Sequence, residues 1–418
     1  MSHRLRITAA LALAGFAAAA SAQELSLAEA QSIASAAAPQ LLAQSAAVRA
    51  ARATSSAATE LPDPRLIAAL ENVPTDGPDK WSLTRDFMTM RKIGVMQDVP
   101  LADKRRLRGE RAEAEAQREQ AMLVVSEVNL QRDVALAWIE TWAAEQQLAL
   151  ALEMQREAEL GATGAQAALA GGREPAAESF AARLVAAQAA DRVLEAHRLV
   201  TRAREQLARW VGRDAGRDLD APPDFTRLAH QHGSLLDLDT HPHLAMYAPM
   251  QAVADADVKL AEAAKRPDWS WEVAYAQRGS AYSNMLSVGV RIDLPILEAR
   301  RQEPAIASRL AAAEQVRSQA EDARRAHLTE IRVAMADWNA AVERAKRIES
   351  LQVPLAKERL RAALAAYAGA RGELNPVLEA RRADVETRMA LLQARADAGR
   401  SWAQLNFILP TESHKETP

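Results

Sequence analysis

No cysteine occurs among the 418 residues. That excludes a disulfide framework, a zinc ribbon, a thiol nucleophile and the acylated N-terminal cysteine that anchors a bacterial lipoprotein. Positive charge is not in excess: Lys and Arg total 52 against 55 Asp and Glu, so a nucleic-acid binder is not expected. Beyond the first 22 residues no apolar run approaches the roughly 20 residues of a transmembrane helix. G-x-x-x-x-G-K-[ST], H-E-x-x-H, G-x-S-x-G and G-x-G-x-x-G are all absent. Phosphate cradles, zincin sites and serine elbows therefore lack support, and neither enzyme activity nor a cofactor is expected.

What is present begins with an export signal. Arg4 and Arg6 precede an apolar run from Ile7 to Ala20, and Ala20-Ser21-Ala22 has the small-residue pattern of a cleavage site, so 1–22 reads as a signal peptide. Removing it leaves 50 basic against 55 acidic residues, a net −5. Aromatics are only 4% of the chain, whereas Ala, Leu, Glu, Arg and Gln dominate, and these residues lose least on entering a helix. Proline is absent between Pro100 and Pro175, and Gly109 is the only glycine from Asp103 to Leu160. One helix over that stretch would be about 87 Å long. Its apolar residues, among them Leu123, Leu130, Val134, Trp138, Leu148 and Leu152, recur at four and seven, as in coiled-coil-like packing. Further helices are predicted over Ala176–Val211, Ala305–Leu351 and Pro376–Asn406, with shorter ones over Ser26–Thr59 and Pro242–Arg266.

Two segments carry a different period. In Asp268–Arg278, Trp269, Trp271, Val273 and Tyr275 alternate with Ser270, Glu272, Ala274 and Ala276. After a turn-like Gly279–Asn284, Leu286, Val288, Val290, Ile292 and Leu294 alternate with Ser287, Gly289, Arg291 and Asp293. Period-2 alternation is the mark of a strand with one apolar face, and each run has about the 9–11 residues that a tilted strand needs to cross a bilayer. An earlier pair, Arg65–Val73 and Phe87–Val99, reads the same way less cleanly.

The chain also repeats itself. Pro62-Asp63 before the first strand pair answers Pro267-Asp268 before the second. Gly94-Val95 with Pro100-Leu101 answers Gly289-Val290 with Pro295-Ile296. Ala170-Gly171 and Arg183 answer Ala368-Gly369 and Arg381, and Leu207 answers Leu405. The unit is helix, strand pair, very long helix, short turn and long returning helix, present twice. The expected organisation is a signal peptide (1–22), a first repeat (23–220), a linker (221–241), a second repeat (242–410) and a tail (411–418).

This order resembles the TolC-like outer-membrane efflux proteins over nearly the whole mature chain. The resemblance is carried by Pro295-Ile296 followed at once by helix, by the Tyr367-Ala368-Gly369 turn leading into Val377-Leu378-Glu379-Ala380, and by the counterpart around Gly171. Met88–Gln97 with Lys104-Arg105-Arg106 looks like the branch that serves heavy-metal efflux. The chain departs from lipid-anchored members in having no cysteine, and its first repeat lacks the counterpart of Tyr367. The resemblance implies a mainly α protein with a small membrane β part. Long periplasmic helical hairpins would form an α-barrel, and four strands per chain would complete a trimeric outer-membrane β-barrel. It implies a passive exit duct in the outer membrane and periplasm, exporting heavy-metal cations in company with an inner-membrane resistance-nodulation-division (RND) pump and a periplasmic adaptor, or membrane fusion protein. Adaptor docking falls on the turns at Gly171, Gly172, Gly369 and Gly372. The acidic gate falls on Glu379, with Glu373 a possible substitute for a family acid replaced here by Pro376, and with Arg183 and Arg381 as neighbouring cations. A drug or secretion conduit of the same fold is the alternative, and a periplasmic coiled-coil adaptor or scaffold a more distant one.

The homotrimer also follows from physics. Four strands cannot close a barrel, and an open sheet edge is not tolerated in lipid. Two copies would give eight strands with an interior filled by side chains, whereas three leave a lumen. His230-x-His232 and His241-x-His243 have donors suited to a transition metal, or else belong to a polar linker. Met88, Met90 and Met96 are either soft ligands or packing residues, Met88 and Met90 sharing one face of a strand.

Overall fold

The computed structural model describes residues 24–172, 175–230, 235–369 and 373–409. The signal peptide, His232, Gly372 and the tail from 410 lie outside the described residues. In chain order the elements are α1 (Leu27–Ala37), α2 (Pro39–Ala57), β1 (Arg65–Glu71), β2 (Met90–Val99), α3 (Ala102–Ala170), α4 (Ala176–Val211), α5 (Pro242–Ala245), α6 (Tyr247–Ala263), β3 (Trp269–Gln277), β4 (Met285–Ile292), α7 (Glu298–Arg347), α8 (Val353–Ala368) and α9 (Leu374–Asn406). Helix dominates and the four strands form one small sheet, as the sequence predicts. Among the described residues no helix is long and apolar enough to cross a membrane.

Proline accounts for most of the departures from the predicted helices. The helix expected over Ser26–Thr59 divides at Ala38, which is extended (φ −64°, ψ 114°) because the following Pro39 disfavours helical backbone before it. Pro242–Arg266 divides at Met246, where Pro249 supplies no N–H to the preceding turn. Pro304, expected to delay the third long helix, is instead carried inside α7; the carbonyl it leaves unbonded, that of Arg300, is on an exposed residue. Beyond α7 the chain makes a π-helical turn over Ile348–Gln352 and continues as α8, with Pro354 next to the junction. A π turn absorbs one extra residue without ending the helix.

The described residues form two compact units, one of 24–33 with 137–224 and the other of 34–136 with 225–409. In the first, Leu25 is fully buried and bridges to Leu219. Its carbonyl accepts the Trp138 indole N–H at 2.9 Å. Here α3 and α4 meet through Ala151, Val193 and Ala196, with Leu148 against them. Arg204 and Glu145 pair at 2.5 Å. In the second unit α7 and α9 meet through Ala345, Ile348 and Ala394. The Trp338 indole donates to the Phe225 carbonyl at 2.8 Å. Small residues at these contacts let helix backbones approach closely.

Both indole bonds span 113 residues, which is the sequence repeat seen in three dimensions. The strands show it again. β1 and β2 pair with Arg65 opposite Met96, and β3 and β4 with Ser270 opposite Arg291. Moving β1 by 205 positions and β2 by 195, the offsets that relate Pro62-Asp63 to Pro267-Asp268 and Gly94 to Gly289, carries the first register onto the second.

Candidate functional site: an amphipathic sheet and two helical turns

The sheet has the order β1-β2-β3-β4, antiparallel throughout. Pleating sends alternate residues to opposite faces. One face carries Leu66 and Leu70 of β1, Ile93 and Val95 of β2, Trp269, Val273 and Tyr275 of β3, and Leu286, Val288, Val290 and Ile292 of β4, all of them exposed. Leu286 and Val288 are 71% and 72% accessible. So large an exposed apolar surface marks an interaction or membrane face.

The opposite face is polar and crosslinked by charge. Lys92 lies 2.7 Å from Glu272 and 3.3 Å from Glu71. Arg65 pairs with Asp98 at 2.9 Å, and Arg291 reaches the Met96 sulfur at 3.3 Å. Met90 and Met96 share this face by register, but Met88 precedes β2, so Met88 and Met90 do not share a strand face. Gly94 sits where a β-carbon would come within 2.6 Å of Ala274 Cβ and 2.8 Å of the Val273 carbonyl. Only glycine allows β2 and β3 to approach so closely. Where the strands run into helix, Asp268 accepts the Leu101 N–H on Oδ1 at 3.1 Å and pairs with buried Lys104 through Oδ2 at 2.9 Å. Lys104 also donates to the Arg266 carbonyl at 2.6 Å. Sequence reasoning noticed Lys104 and Asp268 separately; nothing in either motif shows that they meet.

Each turn lies within a single unit. In the first, α3 ends at Ala170, and the Gly171 and Gly172 amides donate to the carbonyls of Ala167 and Leu169. Gly172 has φ +71°, a left-handed conformation that favours glycine. Arg183 is exposed on α4. In the second, α8 ends at Ala368, and Gly369 has an ordinary φ of −80° with its amide bonded to the Ala365 carbonyl. Glu373 precedes α9 with extended backbone and makes no side-chain cap. Glu379 pairs with Arg359 of α8 at 3.8 Å, whereas Arg382, four residues before Glu386, pairs with that residue at 2.8 Å. The pairing of Glu379 with Arg382 that local helix spacing offers is therefore not made. Arg381 is half-buried on α9.

The histidines separate. His230 is half-buried beside Ala229, whose N–H is bonded to Asn406. His241 and His243 come together with His327 of α7, a residue that no local motif singles out. His241 Nδ1 and His327 Nε2 are 2.9 Å apart, and His243 Nε2 is 3.1 Å from Asn129 Oδ1. Burial lowers the pKa of His243, helped by the charges of His327 and Arg132 and opposed by Glu330. Burial likewise lowers that of His327 against the pull of Glu330. In the tautomer that carries the His327 proton on Nδ1, toward Glu330, Nε2 of His327 accepts the Nδ1–H of His241. Among the described residues no three His, Cys, Asp or Glu groups are arranged to hold a metal ion.

No protein-family profile and no curated protein sequence matches the chain. Solved structures do. The outer-membrane protein VceC from Vibrio cholerae is similar at 19% identity and TM-score 0.76, covering 91% of this chain and 95% of that one. CusC, whose structures concern folding and transmembrane channel formation, is similar at 17% identity and TM-score 0.75, covering 92% of each chain. The open-state outer-membrane channel MtrE from Neisseria gonorrhoeae is similar at 18% identity and TM-score 0.70, covering 91% and 88%. The chain has the fold of these outer-membrane channels.

Proposed function

We propose that this protein is a passive outer-membrane exit duct of a tripartite RND efflux system, working as a homotrimer that extends into the periplasm. The observation that carries the reading is the sheet itself: four strands, apolar on one face and charged on the other, with both outer edges unpaired among the described residues. In lipid such edges must be closed by further strands, and three copies give a twelve-stranded barrel with a polar lumen. The fold shared with outer-membrane channels supports the same conclusion. An inner-membrane pump then supplies energy, and a periplasmic adaptor docks at the turns around Gly171, Gly172, Gly369 and Gly372. The gate is assigned to Glu379 and Glu373 with Arg183 and Arg381 nearby. Transport through such a duct needs no bond chemistry.

Heavy-metal cations are the proposed cargo, on the resemblance of Met88–Gln97 and Lys104-Arg105-Arg106 to the metal-efflux branch. The test is expression with its leader in a Gram-negative host, followed by outer-membrane fractionation, mass determination in detergent and planar-bilayer recording. A trimer in the outer-membrane fraction with steady single-channel conductance is expected. A soluble periplasmic monomer would overturn the reading. Metal sensitivity of a host lacking its own duct, rescued only when a metal-type pump and adaptor are supplied, tests the cargo.

A further inference from the structure

The internal repeat specifies more than a barrel. It specifies how neighbouring copies meet. Within the chain β2 and β3 form a seam between the two strand pairs, with Gly94 opposite Ala274, Val95 opposite Val273 and Ile93 opposite Tyr275. The same offsets that carry the first hairpin onto the second carry this seam onto the two free edges, β4 of one copy and β1 of the next. We infer that β4 pairs antiparallel with β1 of the partner subunit in one register, Gly289 opposite Ala69 of the partner subunit, Val290 opposite Ala68 of the partner subunit and Val288 opposite Leu70 of the partner subunit. The inference rests on the trimeric-duct reading and adds the residue-level interface to it.

Three independent features fit this register. Gly94 is hemmed in by Ala274 within the chain, but its repeat-mate Gly289 faces open space; a glycine at 289 is explained once a neighbouring strand fills that space. Asp268 is fully engaged at the β2–β3 seam by Leu101 and Lys104. Its repeat-mate Asp63 is exposed, with no bonded partner among the described residues, and the register brings it toward the start of α7 in the neighbouring copy. Charge and hydropathy also match. Ile292 falls opposite Leu66 of the partner subunit on the apolar face, and Asp293 falls opposite Arg65 of the partner subunit. A slip of one residue would turn every apolar side chain of one strand to the polar face.

The native chain has no cysteine, so introduced pairs report without background. Directly opposite residues are about 4.5–5.5 Å apart at Cα and lie within disulfide reach, whereas diagonal neighbours at about 7–8 Å do not. An in-chain bridge between β1 and β4 is excluded, because two strands at about 4.8 Å spacing lie between them. The Val290→Cys/Ala68→Cys protein, purified from membranes, should run mostly as covalent dimers and trimers without reductant and revert with it. Val290→Cys/Leu66→Cys and Val290→Cys/Leu70→Cys should crosslink at least about 10-fold less, since diagonal residues lie beyond disulfide geometry. The Val288→Cys/Leu70→Cys pair tests the same register should the first pair fail to fold. Efficient crosslinking in a diagonal pair, or in Ala68→Cys alone as a two-fold edge contact would give, overturns the register. So does a trimer, shown by light scattering, in which neither in-register pair crosslinks. Absence of a wild-type trimer overturns the duct reading instead.

Discussion

The two repeats are alike in their interiors and unlike at their strand seams. Trp138 and Trp338 each donate to a backbone carbonyl 113 residues earlier, so this bond is made twice within one chain. At the seams the symmetry stops. Gly94, Asp268 and Lys104 are packed and bonded, but their counterparts Gly289, Asp63 and Ala299 face open space or solvent. What is duplicated and satisfied twice holds the protomer together; what is duplicated but satisfied once marks the surface that the proposed trimer would complete.

The sharpest way to break that comparison is to put a branched side chain at each seam glycine. Gly94→Val drives a β-carbon into Ala274 and the Val273 backbone, and backbone cannot yield cheaply. It should cost about 3 kcal/mol or more and deplete folded protein. Gly289→Val meets nothing within 4 Å in the chain, so the sheet of the protomer should persist while the trimer is lost. Quantifying heat-resistant trimer and folded monomer by gel and near-UV circular dichroism separates the two outcomes. Equal behaviour of both variants would remove the distinction between a filled and an open seam.

The duplicated interior predicts equality instead. Trp138→Phe and Trp338→Phe each remove one indole donor from a carbonyl and leave a small void. Each should lower stability by about 1–3 kcal/mol. The Leu25 carbonyl also accepts the Asp220 N–H at 3.3 Å, which places Trp138→Phe toward the lower end. Denaturant melts of the two variants provide the check, and a difference of several kcal/mol would show that the repeats are not energetically equivalent.

Much of this was legible in the sequence because it is written in local periods. Alternation around Trp269–Tyr275 gave a strand on one face of a sheet, and Pro175 and Gly212 bracket α4 where the structure ends it. The repeat intervals gave the strand offsets that the hairpin registers then obey. What escaped was set by contacts across long separations. Lys104 finds Asp268 across 164 residues, and His327 finds His241 across 86; neither residue carries a local pattern announcing its partner. Glu379 shows the converse case. Helix spacing offered Arg382, but the adjoining helix presents Arg359, and tertiary packing decides between them.

The histidine cluster is not duplicated. The residue at the matching place before Pro39 is Ala38, where the second repeat has His241 before Pro242. His243 and His327 have pKa values lowered in the folded protein by burial. Between the folded and unfolded values the unfolded chain binds more protons, so stability rises with pH there and is lost as pH falls through and below the usual imidazole range. Thermal melts should therefore show a lower Tm at pH 5.5 than at pH 7.5. His327→Gln, which keeps hydrogen-bonding capacity without titrating, should flatten that dependence. An unchanged slope in the variant would assign the acid sensitivity to carboxylates elsewhere.

The smallest structural effect, and the most informative for transport, is expected at the second helical turn. Glu379 and Arg359 are 3.8 Å apart with side chains 63% and 60% exposed. A pair that open to water contributes at most about 1 kcal/mol, and Glu373 makes no cap that its removal would destroy. Glu379→Ala with Glu373→Ala should thus leave the trimer and its melting almost untouched. Any functional change then reports charge facing the pore and not damage to the fold. If these carboxylates line the entrance, three copies of each repel across the axis and attract divalent cations, so the double variant should change single-channel conductance and weaken divalent block. Arg359→Ala supplies the opposite perturbation, because it frees the Glu379 carboxylate from its cation and should strengthen divalent block. Planar-bilayer recordings with and without millimolar Mg²⁺ read both directions. Conductance and block that match wild type in both variants would place control of the entrance away from this turn.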